Sequence, residues 1–244
     1  MKLSSLLLFT AFLSLPSMAQ ANCLSAGVIE NKPIGYLDSQ GNATGVHWDF
    51  LEEISRESGL CIEKELMPFA RVWLGLEVGR HDLVVGFASP SRDEKVIKVG
   101  LIRELKTIVV GAKGINVRYY EDLVGLEIGK TRSTKLDNRF DKDAQLNINE
   151  LNDYEQAVTM LLAGRIDALA GSYKAIKYQL EQSNQSNYLD RNGFHVLGVR
   201  QQWLHMSKQS EFKPEIPKLK AAVEKLQATS TLAKLVKKHY EASN

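Results

Sequence analysis

Excess charge of one sign is missing from this sequence. Lys and Arg total 31 against 29 Asp and Glu, a formal charge of +2. No basic surplus exists to neutralise a phosphate backbone, so nucleic acid is excluded as a first choice of partner. Soft metal ligands are also scarce. Two cysteines and five histidines (47, 81, 195, 205, 239) show no Cys-x-x-Cys, His-x-x-x-His or HExxH spacing, so no metal centre is expected. A bilayer-spanning run is lacking too, because the apolar stretch Leu6 to Leu15 is too short to cross. No repeat of fixed period and no low-complexity tract occurs.

Catalytic signatures fail on inspection. Gly129-Lys130-Thr131 would end a phosphate loop, but the glycine that loop needs five positions earlier is Val124. Gly171-Ser172-Tyr173 lacks the preceding G-x of a nucleophile elbow. Glu52–Glu53 and Asp141–Asp143 fall where solvated helices place acids. Nothing in the sequence calls for a cofactor or argues for acid–base catalysis.

What is present is a globular composition, 44% hydrophobic and 25% charged. Residues 1–21 read as a signal peptide: Lys2 is a positive n-region, Leu6 to Leu15 the apolar core, Pro16 its stop, and Ala19-Gln20-Ala21 the cleavage site. The mature chain of residues 22–244 is therefore expected to be soluble and exported to the periplasm. Cys23 follows Asn22 rather than a small residue, which disfavours a lipid anchor. Two cysteines in an exported chain usually pair, so a Cys23–Cys61 bridge is expected. Each opens a strand-like run, and parallel neighbouring strands would bring their starts together.

The mature chain alternates strand-like and helix-like segments. Leu24 to Ile29, Cys61 to Leu66 and Leu83 to Phe87 read as strands, interleaved with helices over Trp48 to Ser58 and Phe69 to Val78. The near-continuous apolar run at Leu83 suits a parallel strand covered on both faces. A second set follows: strands at Thr107 to Gly111, Leu126 to Gly129, Leu146 to Leu151 and Ile166 to Ala170, with helices expected from Ser133 to Phe140, from Asn152 to Ala163 and from Ser172. Trp203 to Ser207 is extended, and two helices close the chain. Two βα series imply an α/β protein with two lobes. Trp48 and Trp73 share faces with Leu and Ile and are expected in the core.

Three arginines sit at element ends: Arg71 after Phe69, Arg92 after Ser89-Pro90-Ser91, and Arg132 beside Ser133-Thr134. Arginine pairs bidentately with carboxylates, helix N-termini offer free N–H donors, and parallel sheets bind ligands beyond their strands' carboxyl ends. An anionic small ligand is the reading these positions favour.

At this point the chain resembles the periplasmic solute-binding proteins of family 3, the amino-acid ABC-transporter substrate-binding type. The resemblance rests on Gly41-x-x-x-Gly45-Val46-His47-Trp48-Asp49, Leu76-x-x-Gly79-Arg80-x-Asp82 and Ser89-Pro90-Ser91-Arg92-x-x-x-Val96 in the first half. In the second half it rests on Asp122-Leu123-x-Gly125-x-x-Ile128-Gly129 and Leu162-x-Gly164-Arg165-x-Asp167-Ala168. It implies the two-lobed type II periplasmic-binding-protein fold with two hinge crossings, lobe 1 as 22–106 plus 200–244 and lobe 2 as 107–199. It also implies roles: Arg92 clamping a ligand carboxylate, Ser133 and Thr134 donating hydrogen bonds to it, Phe69 stacking on the ligand, and Arg71, Ser89 and Ser172 beside it. Two positions depart from the family pattern. Its ligand-ammonium Asp is Ser172 here, and its aromatic near the first strand's end is Asn31, with Tyr36 available as substitute.

The resemblance implies a monomer that captures a small carboxylate-bearing solute and presents it to an inner-membrane ABC permease, and not an enzyme. Two alternatives stand beside it. One is a periplasmic enzyme on the same scaffold, of the cyclohexadienyl dehydratase type, with Glu30 as its acid. The other is a module that hands ligand to a membrane sensor.

Overall fold

A computed structural model describes residues 22–132 and 134–241. The expected signal peptide and Ser133 lie outside the described residues. The first series runs β1 (Leu24–Ile29), a short ribbon of β2 (Tyr36–Leu37) and β3 (Ala43–Thr44), α1 (Val46–Ser58), β4 (Ile62–Met67), α2 (Phe69–Glu77), β5 (Leu83–Phe87), α3 (Pro90–Asp93) and the long β6 (Val96–Gly111). The second comprises β7 (Glu127–Thr131), β8 (Asn147–Leu151), α4 (Tyr154–Leu162), β9 (Ala168–Ser172), α5 (Tyr173–Gln182) and α6 (Tyr188–Asn192). β10 (His195–Ser207) then returns the chain to α7 (Ile216–Ala228) and α8 (Thr231–Glu241).

The principal sheet has the order β4-β1-β5-β10-β6-β9-β7-β8. β1 runs parallel to β4 and β5, and β7 parallel to β8 and β9. The long antiparallel pair β6 and β10 joins the two parallel groups. The interlobe boundaries expected from the sequence face each other on this pair, where Lys106 is the register partner of Val199. The ladder shifts register at Val196/Gly198, Gln202/Trp203 and Leu204/His205. Such irregularities add local twist and bend a strand pair.

Each lobe has a core on both faces of its sheet, as strand alternation requires. In the first lobe Leu24, Ala26, Val28, Leu83 and Val85 pack with α1, α7 and α8, while Ile29, Val84 and Val96 pack with Val72, Trp73 and Leu76 of α2. In the second, Ile108, Val110 and Leu169 meet α4 and α5, while Val109, Ala168 and Ala170 meet Leu123, Leu136 and Phe140. Trp73 is buried and Trp48 half-buried against the first core. The parallel pairing of β1 with β4 brings Cys23 to Cys61, and the two form a disulfide with Cα atoms 4.7 Å apart.

One expected helix is absent. Residues 134–139 form no helix, and a short 3-10 turn follows at Phe140–Lys142. The Asp137 carboxylate accepts from the backbone N–H groups of Arg139 and Phe140, and Asp141 accepts from that of Leu136. These side-chain bonds compete with helical pairing. The start of α4 also shifts by one residue. Asp153, not Asn152, is the N-cap, accepting from the Gln156 N–H at 2.8 Å, while the Gln156 side chain reaches back to the Asn152 N–H.

Candidate functional site

The carboxyl ends of β1, β4, β5, β7 and β9 converge on one cavity of about 720 Å³, lined by residues of both lobes. Ligands of parallel α/β sheets bind at this end of the strands. The first lobe supplies the segment from Ile29 to Leu37, the start of α2 and the end of β5. Gly45 closes the Ile29–Leu37 segment over α1. Its φ is 127°, and a Cβ there would lie 2.5 Å from the Ile34 carbonyl oxygen, so the site demands glycine. The second lobe supplies Thr131, Thr134, Ser172 and the start of α4. Thr131 Oγ1 and Thr134 Oγ1 are 2.8 Å apart, and the Tyr154 hydroxyl accepts from the Ser172 N–H at 2.9 Å. Gly171 lets Tyr154 approach, since a Cβ there would sit 2.4 Å from its ring.

The two lobes touch beside the cavity. Gln179 Nε2 donates to the Lys32 carbonyl oxygen at 3.2 Å, and the Tyr178 and Tyr240 rings meet edge-on at 5.5 Å. Four residues expected in the site from the sequence, Tyr36, Phe69, Thr134 and Ser172, line this cavity together with Arg132 and Glu30. The Tyr36 hydroxyl lies 3.4 Å from His239 Nδ1, and Asp49 Oδ2 lies 2.8 Å from His239 Nε2. Burial raises the Tyr36 phenol pKa.

Three other expected residues are placed elsewhere. Arg71 is exposed on the first turn of α2 and is not among the lining residues. Ser89 is buried at the start of α3, beside a separate shallow depression with Arg200 and Lys98. Arg92 is buried and sits over aromatic faces, its guanidinium carbon 4.3 Å from the Trp73 ring centroid and 5.3 Å from that of Phe69. Its Nη1 donates to the Phe87 carbonyl oxygen at 3.2 Å. Burial, helped by the nearby Arg200 charge, pulls its pKa down to about 10. Arg92 thus backs Phe69, and it is not among the described residues that line the cavity. Ser133 lies outside the described residues.

The sequence reading missed the inner wall. There His47, Arg103, Gln202 and Tyr240 line the cavity where the two long strands cross. Arg103 Nε donates to Gln202 Oε1 at 2.8 Å. Burial, together with the Arg103 charge, pushes the His47 pKa down to about 3, so the imidazole is neutral at neutral pH. Burial also raises the Tyr240 phenol pKa. A signal for Arg103 exists in the sequence: it interrupts an apolar strand and shares the face of Leu101 and Leu105. None exists for Gln202 or Tyr240, which come from distant chain segments.

The chain belongs to the bacterial extracellular solute-binding proteins, family 3, whose model matches residues 24–242. No curated protein sequence matches it. Among solved structures it is similar to a mutant of ArgBP from T. maritima, with 18% identity over 89% of this chain and 95% of that one, at a TM-score of 0.75. It is similar also to ArtJ, the arginine-, lysine-, histidine-binding protein of Geobacillus stearothermophilus (16% identity, 90% and 96% covered, TM-score 0.72). A histidine kinase sensor domain with similarity to periplasmic binding proteins matches at 14% identity, 89% and 95% covered, TM-score 0.73. At these identities the likeness is one of fold.

Proposed function

We propose that this protein is secreted to the periplasm as a monomer, captures a small carboxylate-bearing solute, an amino acid or a related compound, between its lobes, and presents it to an inner-membrane ABC permease. The observation that carries this reading is the shared cavity: strands of two lobes end on it, and β6 and β10 alone connect the parallel groups among the described residues. A ligand touching both walls would favour closure by its differential affinity for the closed state. The hinge would lie at Lys106–Thr107 and Val199–Arg200, dividing lobe 1 (22–106 and 200–244) from lobe 2 (107–199). Phe69 and Tyr36 would offer aromatic faces, Thr134, Ser172 and the neighbouring Ser133 hydroxyl donors. Arg92 would act through Phe69. Solved relatives of this fold include proteins named for arginine, lysine and histidine, and an ancestral arginine-binding protein bound to glutamine.

The enzymatic alternative needs an acid shielded from water in the cleft. Glu30 lines the cavity but is exposed, which favours binding over catalysis. Calorimetry of the purified mature chain against amino acids, polyamines and small carboxylates tests the reading. One or more carboxylates should bind saturably at one site, and are expected to leave the solution chemically unchanged. Absence of binding across the panel, or conversion of prephenate or arogenate to an aromatic product, would overturn it.

A further inference from the structure

We propose that Arg103, on the hinge strand β6, is the residue that pairs with the ligand's carboxylate, so that the anion docks at the crossing of the lobes against Arg103 and Gln202. This rests on the reading of the cleft as a carboxylate-binding site and specifies where the charge goes.

Arg103 stands apart from the other deeply placed cations. Lys130 has Asp141 at 3.7 Å and Glu150 at 3.9 Å. Lys64 is paired with Glu52. Arg92 feels the charges of Glu77, Asp141 and Asp93. Among the described residues Arg103 has no such carboxylate. Its Nε is engaged by Gln202, the Tyr240 phenol and His47 are further polar neighbours, and its Nη2 is buried without a hydrogen bond. A buried charge without a counter-charge is costly, and such groups in proteins are paired or bind ions. Here the group lines a cavity with room for a small molecule.

The neighbours complete an anion cradle. The Nε bond to Gln202 fixes the guanidinium plane and leaves the buried Nη2, which has no hydrogen-bond partner among the described residues, as the donor for a carboxylate oxygen. That bond also assigns the Gln202 amide, turning its oxygen to Arg103 and leaving its NH₂ as a donor. Neutral His47 can donate one N–H without adding a charge. Of the acidic groups lining the cavity, Glu30 and Glu155 are exposed, and Asp153 is engaged as the α4 cap. Arg103 and Gln202 are register partners on β6 and β10. A carboxylate held by both therefore ties the two hinge strands together at the pivot.

The test uses the purified mature chain, refolded to remove carried ligand, with acetate, succinate, L-glutamine and L-arginine as probes in thermal-shift and calorimetric titrations. Wild type should bind at least one probe saturably. Arg103→Met should weaken that binding at least 100-fold, Arg103→Lys about tenfold, and Arg92→Met tenfold or less. Binding to Arg103→Met within threefold of wild type would overturn the inference while leaving the proposed function standing. Failure of wild type to bind any probe would remove the carboxylate reading and this inference with it. A ligand-free measurement guards against a folding defect. The double variant Arg103→Met/Gln202→Met lacks the unpaired charge and should melt at or above the wild-type Tm, whereas a Tm more than 5 °C lower would show Arg103 to be a structural pillar and overturn the proposal.

Discussion

The two walls of the cleft are built from different chemistry. The first lobe and the hinge bring aromatic and ionisable groups: Phe69 backed by Arg92, Tyr36 beside His239, and Arg103 with His47 and Gln202. The second lobe brings mainly small neutral groups, the hydroxyls of Thr131, Thr134 and Ser172, held by mutual bonds and by Tyr154. The lobes differ equally in what fixes them. The first carries the disulfide, the two C-terminal helices and two histidines buried in neutral form, His47 and His205, whose pKa values burial lowers to about 3 and about 4. A wall of strong, directional groups can take a ligand first. A wall of hydroxyls then adds bonds of about 1 kcal/mol each on closing.

The sharpest break of this comparison is covalent. Cys23→Ser/Cys61→Ser opens a 38-residue separation that the bridge closes, and should cost roughly 3–4 kcal/mol in the chain-entropy model. Urea melts followed by tryptophan fluorescence should register the loss, because Trp48, Trp73 and Trp203 all belong to the first lobe and its strands.

Acid should separate the lobes next. His47 and His205 bind fewer protons folded than unfolded, so stability is complete above the unfolded value of about 6.5 and falls as pH drops toward about 3 to 4. The slope reaches about 1.4 kcal/mol per pH unit for each proton taken up. Tryptophan emission is expected to lose its native form at a higher pH than far-ultraviolet circular dichroism loses its helical signal. Coincident transitions would show that the lobes unfold as one. His47→Met should flatten part of the slope between pH 6 and 4.

Ligand affinity offers finer tests. Phe69→Ala should weaken binding about tenfold, the upper range of an aromatic contact. Thr134→Val should weaken it severalfold, corresponding to about 1 kcal/mol for one neutral hydrogen bond. If Thr134→Val costs more than Phe69→Ala in calorimetry, the second lobe is the stronger wall and the comparison reverses.

Legibility in the sequence followed the range of the interaction. Strands β1 and β5 carry local apolar patterns that marked their bounds, and the bridge followed from two cysteines opening neighbouring runs. The region after Ser133 misled, because Ser and Thr there suggested a cap while Asp137 and Asp141 tie the backbone into turns. The long strand β6 was read only from Thr107, since Lys98, Arg103 and Glu104 interrupt its apolar pattern. That interruption is itself the trace of the inner wall.

Residue order alone determined the α/β alternation and the two-lobed class, because each is written in spacing along short segments. Only the tertiary structure decided which arginine forms part of the inner wall of the cavity. Arg92 is drawn onto Trp73 and Phe69, while Arg103, Gln202, His47 and Tyr240 come from four separate elements. Burial, and the lack of a counter-charge among the described residues, are properties of that meeting, and no single segment contains them.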